Sequence, residues 1–144
     1  MKSIIYIITS CTILMLMVSC NQLSKEEQEF DTLMQQVIDV HDEVMPKMGE
    51  MSTMIKDLES KIDTTDAGKS YAKAQKGLKD SYDFMMEWMG DFSDKFPYEK
   101  KDEKLSPEEL ASQMKILLEE EIEVKKMRDQ VNSSIQHAQE LLKQ

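Results

Sequence analysis

Apolar residues return along most of this chain in alternating steps of four and three. The first seam runs through Phe30, Met34, Val37, His41, Val44, Met48, Met51, Ile55, Leu58 and Ile62 without losing the rhythm. Such an alternation averages about 3.5 residues, the period that keeps one helix stripe against a neighbour in left-handed packing. Just ahead of it, Ser24-Lys25-Glu26-Glu27 reads as a capping box, in which hydroxyl and carboxylate each satisfy a free backbone N–H. A first helix over 25–62 is predicted. Asp63-Thr64-Thr65-Asp66 offers a turn and a new N-cap. The second seam, Ala67, Tyr71, Ala74, Leu78, Ser81, Met85, Trp88 and Phe92, predicts a helix over 66–93.

From Asp94 to Leu105 the pattern dissolves into Pro97 and a cluster of charges, which reads as a connector. Ser106-Pro107-Glu108-Glu109 is a second capping box, with Pro at the first helical position where its missing N–H is harmless. A third helix over 107–143 follows, with a broader stripe of Leu110, Met114, Leu117, Leu118, Ile122, Val124, Met127, Val131, Ile135, Ala138 and Leu142. The fold class is therefore all-α. Short turns favour antiparallel neighbours, so the expected architecture is an up-down-up bundle of three long helices. A long hairpin that pairs as a homo-oligomer is the alternative, because three such helices enclose a thin core.

Upstream of the seams lies an apolar run of another kind. Lys2 is followed by a mostly apolar stretch from Ile4 to Val18 and then Ser19-Cys20. At about 15 residues it is short of the ~20 that cross a bilayer, and it reads as a secretory signal. Its end, Met17-Val18-Ser19-Cys20, resembles the lipobox of bacterial lipoproteins, with Met17 where Leu is usual. The resemblance implies cleavage before Cys20 and acylation of its thiol. That divides the chain into a signal peptide over 1–19, a lipidated Cys20 with a tether over 20–24, and a bundle over 25–144. Asn21 in place of Asp implies the outer membrane of the cell envelope, with the bundle facing the periplasm or the cell surface.

Charge narrows the partners. Lys2 is the only charge in the first 20 residues, so the rest of the chain carries 17 basic and 28 acidic residues, a net of −11. Such a surface repels a phosphate backbone, which excludes nucleic acid as a partner, and it repels anionic headgroups as well. Membrane attachment then falls to the lipid on Cys20 rather than to a basic face. Cys11 and Cys20 are the only cysteines, which leaves no thiol in the bundle for a disulfide, redox couple or thiolate metal site.

Three blocks distributed over the three helices carry a second likeness. They are His41-Asp42-Glu43-Val44-Met45-Pro46-Lys47-Met48, Met85-Met86-Glu87-Trp88-Met89, and Met127-Arg128-Asp129-Gln130-Val131-Asn132-Ser133-Ser134-Ile135. Together they resemble a family of small uncharacterised bacterial lipoproteins that carry the inherited label "viral A-type inclusion protein". The likeness implies a lipoprotein and supplies no activity and no catalytic residues.

Met45-x-x-Met48-x-x-Met51-x-x-Met54 is the sharpest chemical signal. Thioethers are soft ligands that suit Cu(I) or Ag(I), and His41, one turn before Met45, adds a nitrogen. His41, Met45, Met48 and Met51 are thus candidate ligands for a copper or silver ion. The ordinary reading is packing, since Met fills irregular gaps in a core. Between the two stands an adaptable interaction face of Met45, Met54, Met85, Met86 and Met89, suited to an envelope protein partner.

Other features read more plainly. His41 interrupts an apolar seam and is expected level with Trp88 and facing Glu121 or Val124. Pro46 removes a backbone donor inside the first helix, so a kink between Val44 and Gly49 is expected. Glu119-Glu120-Glu121 with Glu123 reads as a solvated face, since no Glu-x-x-His pair accompanies it. Lys69, Lys73, Lys76 and Lys79 form a strip expected to pair with acidic neighbours on the other helices. No phosphate loop, His-Glu-x-x-His motif or cysteine nucleophile is present in the sequence. The expected function is that of a lipid-anchored, non-enzymatic bundle, with periplasmic Cu(I)/Ag(I) binding as the alternative.

Overall fold

The computed structural model describes residues 23–98 and 104–143, and all regular structure among them is helical. The signal segment, Cys20 and the boundary before it lie outside the described residues. Helix α1 spans Lys25–Val44, a 3-10 turn covers Met45–Lys47, α2 spans Met48–Glu59, α3 Asp66–Lys95 and α4 Pro107–Leu142. Both capping boxes form. The backbone N–H of Glu27 donates to the Ser24 hydroxyl while Ser24 N–H donates to the Glu27 carboxylate, and Ser106 and Glu109 repeat the arrangement.

Pro46 accounts for the break in the first column. It has no N–H for the Asp42 carbonyl, and the ladder tightens into 3-10 geometry around it before resuming at Met48. The column also ends earlier than the seam implied. It stops at Glu59, and Ile62, expected in the core, is exposed in the turn. Asp63 folds this turn back, accepting from the Thr65 N–H and hydroxyl, and Thr65 caps α3 through the Gly68 N–H. Gly68 is needed at that point because a Cβ would collide with the backbone and side chain of Asp63. The second and third helices match expectation to within two residues.

Three helical columns pack on one continuous apolar core that includes Val37, Val44, Met51, Leu58, Leu78, Met85, Leu117, Val124, Met127 and Val131. Fully burying each such side chain contributes roughly 1.5–3 kcal/mol, and with no thiol in the bundle these contacts hold the fold. Phe30 meets Phe96, His41 meets Trp88, and the Gln75 amide donates to the Ile55 carbonyl. Lys95 pairs with Glu120 and Ser81 with Ser134. Lys47 donates to Asn132 and Gln139 to Glu50.

The break divides the first column by partner. Before it, α1 packs mainly on α4; after it, α2 packs mainly on α3. The aromatic rings explain the division. Phe30, Phe96, Phe92, Trp88 and His41 form a chain of ring contacts 4.8 to 6.3 Å apart between α1 and α3, and such bulk holds the two backbones off. Opposite α2, helix α3 presents Ala74 and Gln75, and the backbones come close.

The third helix corrects the expected stripe. Leu110, Leu117, Val124, Val131 and Ala138 are buried at intervals of seven, with Glu120 and Met127 between them, while Leu118 and Ile122 face outward. A strict heptad keeps the seam on its neighbours, whereas a stripe gathered from every apolar residue drifts off it.

Candidate functional site

A polar and soft group of side chains lies near the point where α1 meets its break. His41 is the seam residue one step before Val44, the last of α1, and its side chain is 13 % exposed. Its ring stacks on Trp88 with centroids 5.5 Å apart and planes 26° from parallel. Nδ1–H donates to Asp42 Oδ1 at 3.0 Å. Nε2 is buried and, among the described residues, has no hydrogen-bond partner. The indole Nε1–H of Trp88 is in the same position. A buried polar atom left unpaired costs on the order of 1–3 kcal/mol, and the two stacked rings carry one unpaired acceptor and one unpaired donor. The expected partner Glu121 is elsewhere, holding Lys125 at 2.6 Å.

The methionines divide in two. Met51, Met54 and Met85 are buried in the core, whereas Met45 is 50 % and Met86 49 % exposed. Met48 and Met89 are part-buried against the core. Of the expected interaction face, Met54 and Met85 therefore belong to the interior, and Met45 with Met86 carries the exposed part. Of the expected ligand set, Met45 stands one turn from His41, but Met51 is ten residues away, about 15 Å along the column. His41, Met45, Met48 and Met51 therefore do not share one centre. The His41–Trp88 and Ile55–Gln75 contacts put Met45 and Met86 at nearly the same height. About two turns on from Met45 and one turn before Met86, Ser52, Ile55, Lys56, Lys79, Tyr82 and Asp83 line a shallow groove between α2 and α3.

Charge is distributed unevenly along the bundle. Residues 25–44, 80–95 and 107–123 carry 18 acidic and three basic residues, whereas 45–59, 66–79 and 124–142 carry six acidic and nine basic ones. The contacts that set the register place the first group in one half of the bundle and the second in the other. The lysine strip belongs to the second half. Lys69 holds Asp66, Lys76 holds Asp80, and Lys79 donates to Gln75, all within α3 rather than across to the other helices.

Glu120 is the residue that sequence reasoning missed. It is 4 % exposed in the core and accepts from Lys95 Nζ at 2.6 Å. That hydrogen bond, outweighing the partial burial of Lys95, raises the ammonium pKa above its ordinary value. The available signal was the heptad, because 120 falls midway between Leu117 and Val124 where a core residue is due. Two further carboxylates are held below their usual range, Glu27 by the Ser24 N–H and Asp63 by the Thr65 hydroxyl and N–H.

Among the described residues no three His, Cys, Asp or Glu side chains gather as a metal-binding group, and no helix is long and apolar enough to cross a membrane. Compared with known protein families, curated proteins and solved structures, the chain matches none. The likeness to small lipoproteins therefore rests on the three sequence blocks and the Cys20 motif.

Proposed function

We propose that this chain is a lipid-anchored, non-enzymatic helical-bundle protein of the bacterial envelope, with a structural or protein-interaction role. The proposed anchor is the acylated Cys20, with residues 1–19 as signal, 20–24 as tether and 25–144 as bundle. The outer membrane is the favoured address, on either its periplasmic or its exposed side. The bundle is read as up-down-up. Support for that topology comes from contacts whose numbers rise in one helix as they fall in the next (Phe30–Phe96, His41–Trp88, Ile55–Gln75), and rise together between first and third (Lys47–Asn132, Glu50–Gln139).

The observation that carries the interaction role is the pair Met45 and Met86, half exposed at one height and about one to two turns from an open groove. Met45 opens the 3-10 turn and Met86 stands on the uninterrupted α3 across from it, and unbranched thioether side chains adapt to varied surfaces. The test is capture of partners from the native envelope by the tagged protein, beside palmitate-analogue labelling. Replacing Cys20 by Ala should abolish the label and release the protein from membranes. Replacing Met45 and Met86 together by Glu should abolish capture while the circular dichroism and melting midpoint stay nearly unchanged. A Cys20→Ala protein that remains in the membrane fraction at the wild-type level sinks the anchor, and capture indifferent to the Glu pair sinks the interaction face.

A further inference from the structure

We propose that His41 Nε2, Met45 and Met85 bind one soft monovalent cation, Cu(I) or Ag(I), against the face of Trp88. The argument begins from the imidazole. When Nδ1–H donates to Asp42, the lone pair resides on Nε2, and Nε2 is the buried atom without a partner. A carboxylate on one nitrogen that orients the other is the arrangement by which metal-ligating histidines are held. Asp42 is accordingly a positioning residue, mostly in solvent, and His41 is the ligand.

Register supplies the sulfurs. His41 and Trp88 are in contact, and the pairs Phe30–Phe96 and Ile55–Gln75 show that a turn later on α1 is level with a turn earlier on α3. Met45 is one turn after His41 and Met85 nearly one turn before Trp88, so both stand on the same side of the ring pair. Met85 is fully buried and Met45 half exposed, which gives one ligand fixed in the core and one at the surface where an ion arrives. Met45 also opens the 3-10 turn at Pro46, where the helix ladder is incomplete, and its half-exposed, unbranched side chain has three rotatable bonds with which to reach the ring pair.

One nitrogen, two thioethers and a π face form a soft donor set. It suits a d10 monovalent ion and is poor for Zn(II), which takes imidazole, thiolate and carboxylate. The near-parallel stack adds to this. An ion bound in the imidazole plane lies alongside the indole ring, whose quadrupole attracts cations. The surrounding half of the bundle, with 18 acidic residues against three basic, raises the local concentration of any cation before it binds.

Trp88 is the chain's single tryptophan, so its emission reports this place and no other. The protein, purified in detergent from membranes of its host, is titrated with Ag(I) in chloride-free buffer. The expected result is a saturable change in Trp88 emission that completes at one equivalent, with no response to Zn(II). Met45→Leu should weaken the response at least about tenfold, and Asp42→Asn by about 10- to 100-fold. Met45→Leu keeps the volume of a half-exposed side chain, so loss of fold does not explain its effect. Absence of a saturable response, an equal response to Zn(II), or a titration unchanged by Met45→Leu overturns the site.

Discussion

Glu120 and Lys95 show how much a single residue can conceal. The carboxylate is almost fully buried, and the ammonium that neutralises it remains partly in water at the C-terminal end of α3. Removing the ammonium is worse than removing the carboxylate, because a stranded buried charge costs about 3 kcal/mol or more. Water reaches Lys95, so the lower end applies. Lys95→Met should destabilise by about 2–3 kcal/mol in urea unfolding, while Glu120→Leu should be neutral or stabilising. Equal losses from the two would mean that the carboxylate is not desolvated. The pH dependence has a definite sign. Folding raises the Lys95 pKa, so its contribution is complete below the ordinary lysine value and fades as pH climbs through the raised one, above about pH 10. None of this was legible in a run of four glutamates within five residues, since composition there argues for solvent and only the heptad position argues against it.

At the scale of the helix, glycine separates two kinds of constraint. Gly90 sits exposed in the interior of α3, and a Cβ there would meet nothing within 4 Å, whereas Gly68 lies under the Asp63 turn. Glycine in an open helical position gives up about 1 kcal/mol relative to alanine through backbone entropy. Gly90→Ala should therefore raise stability by about that amount, and Gly68→Ala should lower it by about 1–3 kcal/mol through the collision. Thermal unfolding of the two variants checks both signs, and a gain at Gly68 would refute the described turn. The elements themselves were largely readable. Both capping boxes and the Thr65 cap are found, and a 3-10 interruption stands where a kink is expected between Val44 and Gly49, since each is local chemistry over a few residues. The change of partner across that break was not, because it depends on ring bulk from Trp88, Phe92 and Phe96 meeting α1 from the far end of another helix.

For the molecule as a whole, the uneven charge sets the response to salt. Eighteen acidic side chains share half the bundle with three basic ones, and their mutual repulsion opposes the folded state. Most are exposed and further apart than the ~3 Å screening length of 1 M salt. Raising NaCl from 10 mM to 1 M should lift the melting midpoint by several degrees, and a fall would mean that the ion pairs outweigh the repulsion. The net charge was evident from composition, but its segregation was not, because the three acidic stretches are remote in sequence and meet only through the register. The same holds for the candidate site. His41 and Met45 stood out on one helix, while Trp88 and Met85 joined them only through packing.

The exchange of partners at Met45–Lys47 also bears on the order in which the chain closes. Helices α2 and α3 are joined by a turn of six residues, and their pairing of Ile55 with Gln75 spans 20 positions. The pairing of α1 with α4 spans far more, as the 85 positions between Lys47, just past the end of α1, and Asn132 show. Loop closure entropy must be met before distant contacts return anything, so the α2–α3 hairpin forms early and the α1–α4 seam late. Synthesis runs from the N-terminus, so α4 emerges after the other three described helices. Until it does, α1 has its apolar face open and only the aromatic rings of α3 to rest against. Helix α1 is thus made before α4 and secured late, and its stretch from Phe30 to Val44 is the surface that a nascent chain must keep from sticking to others.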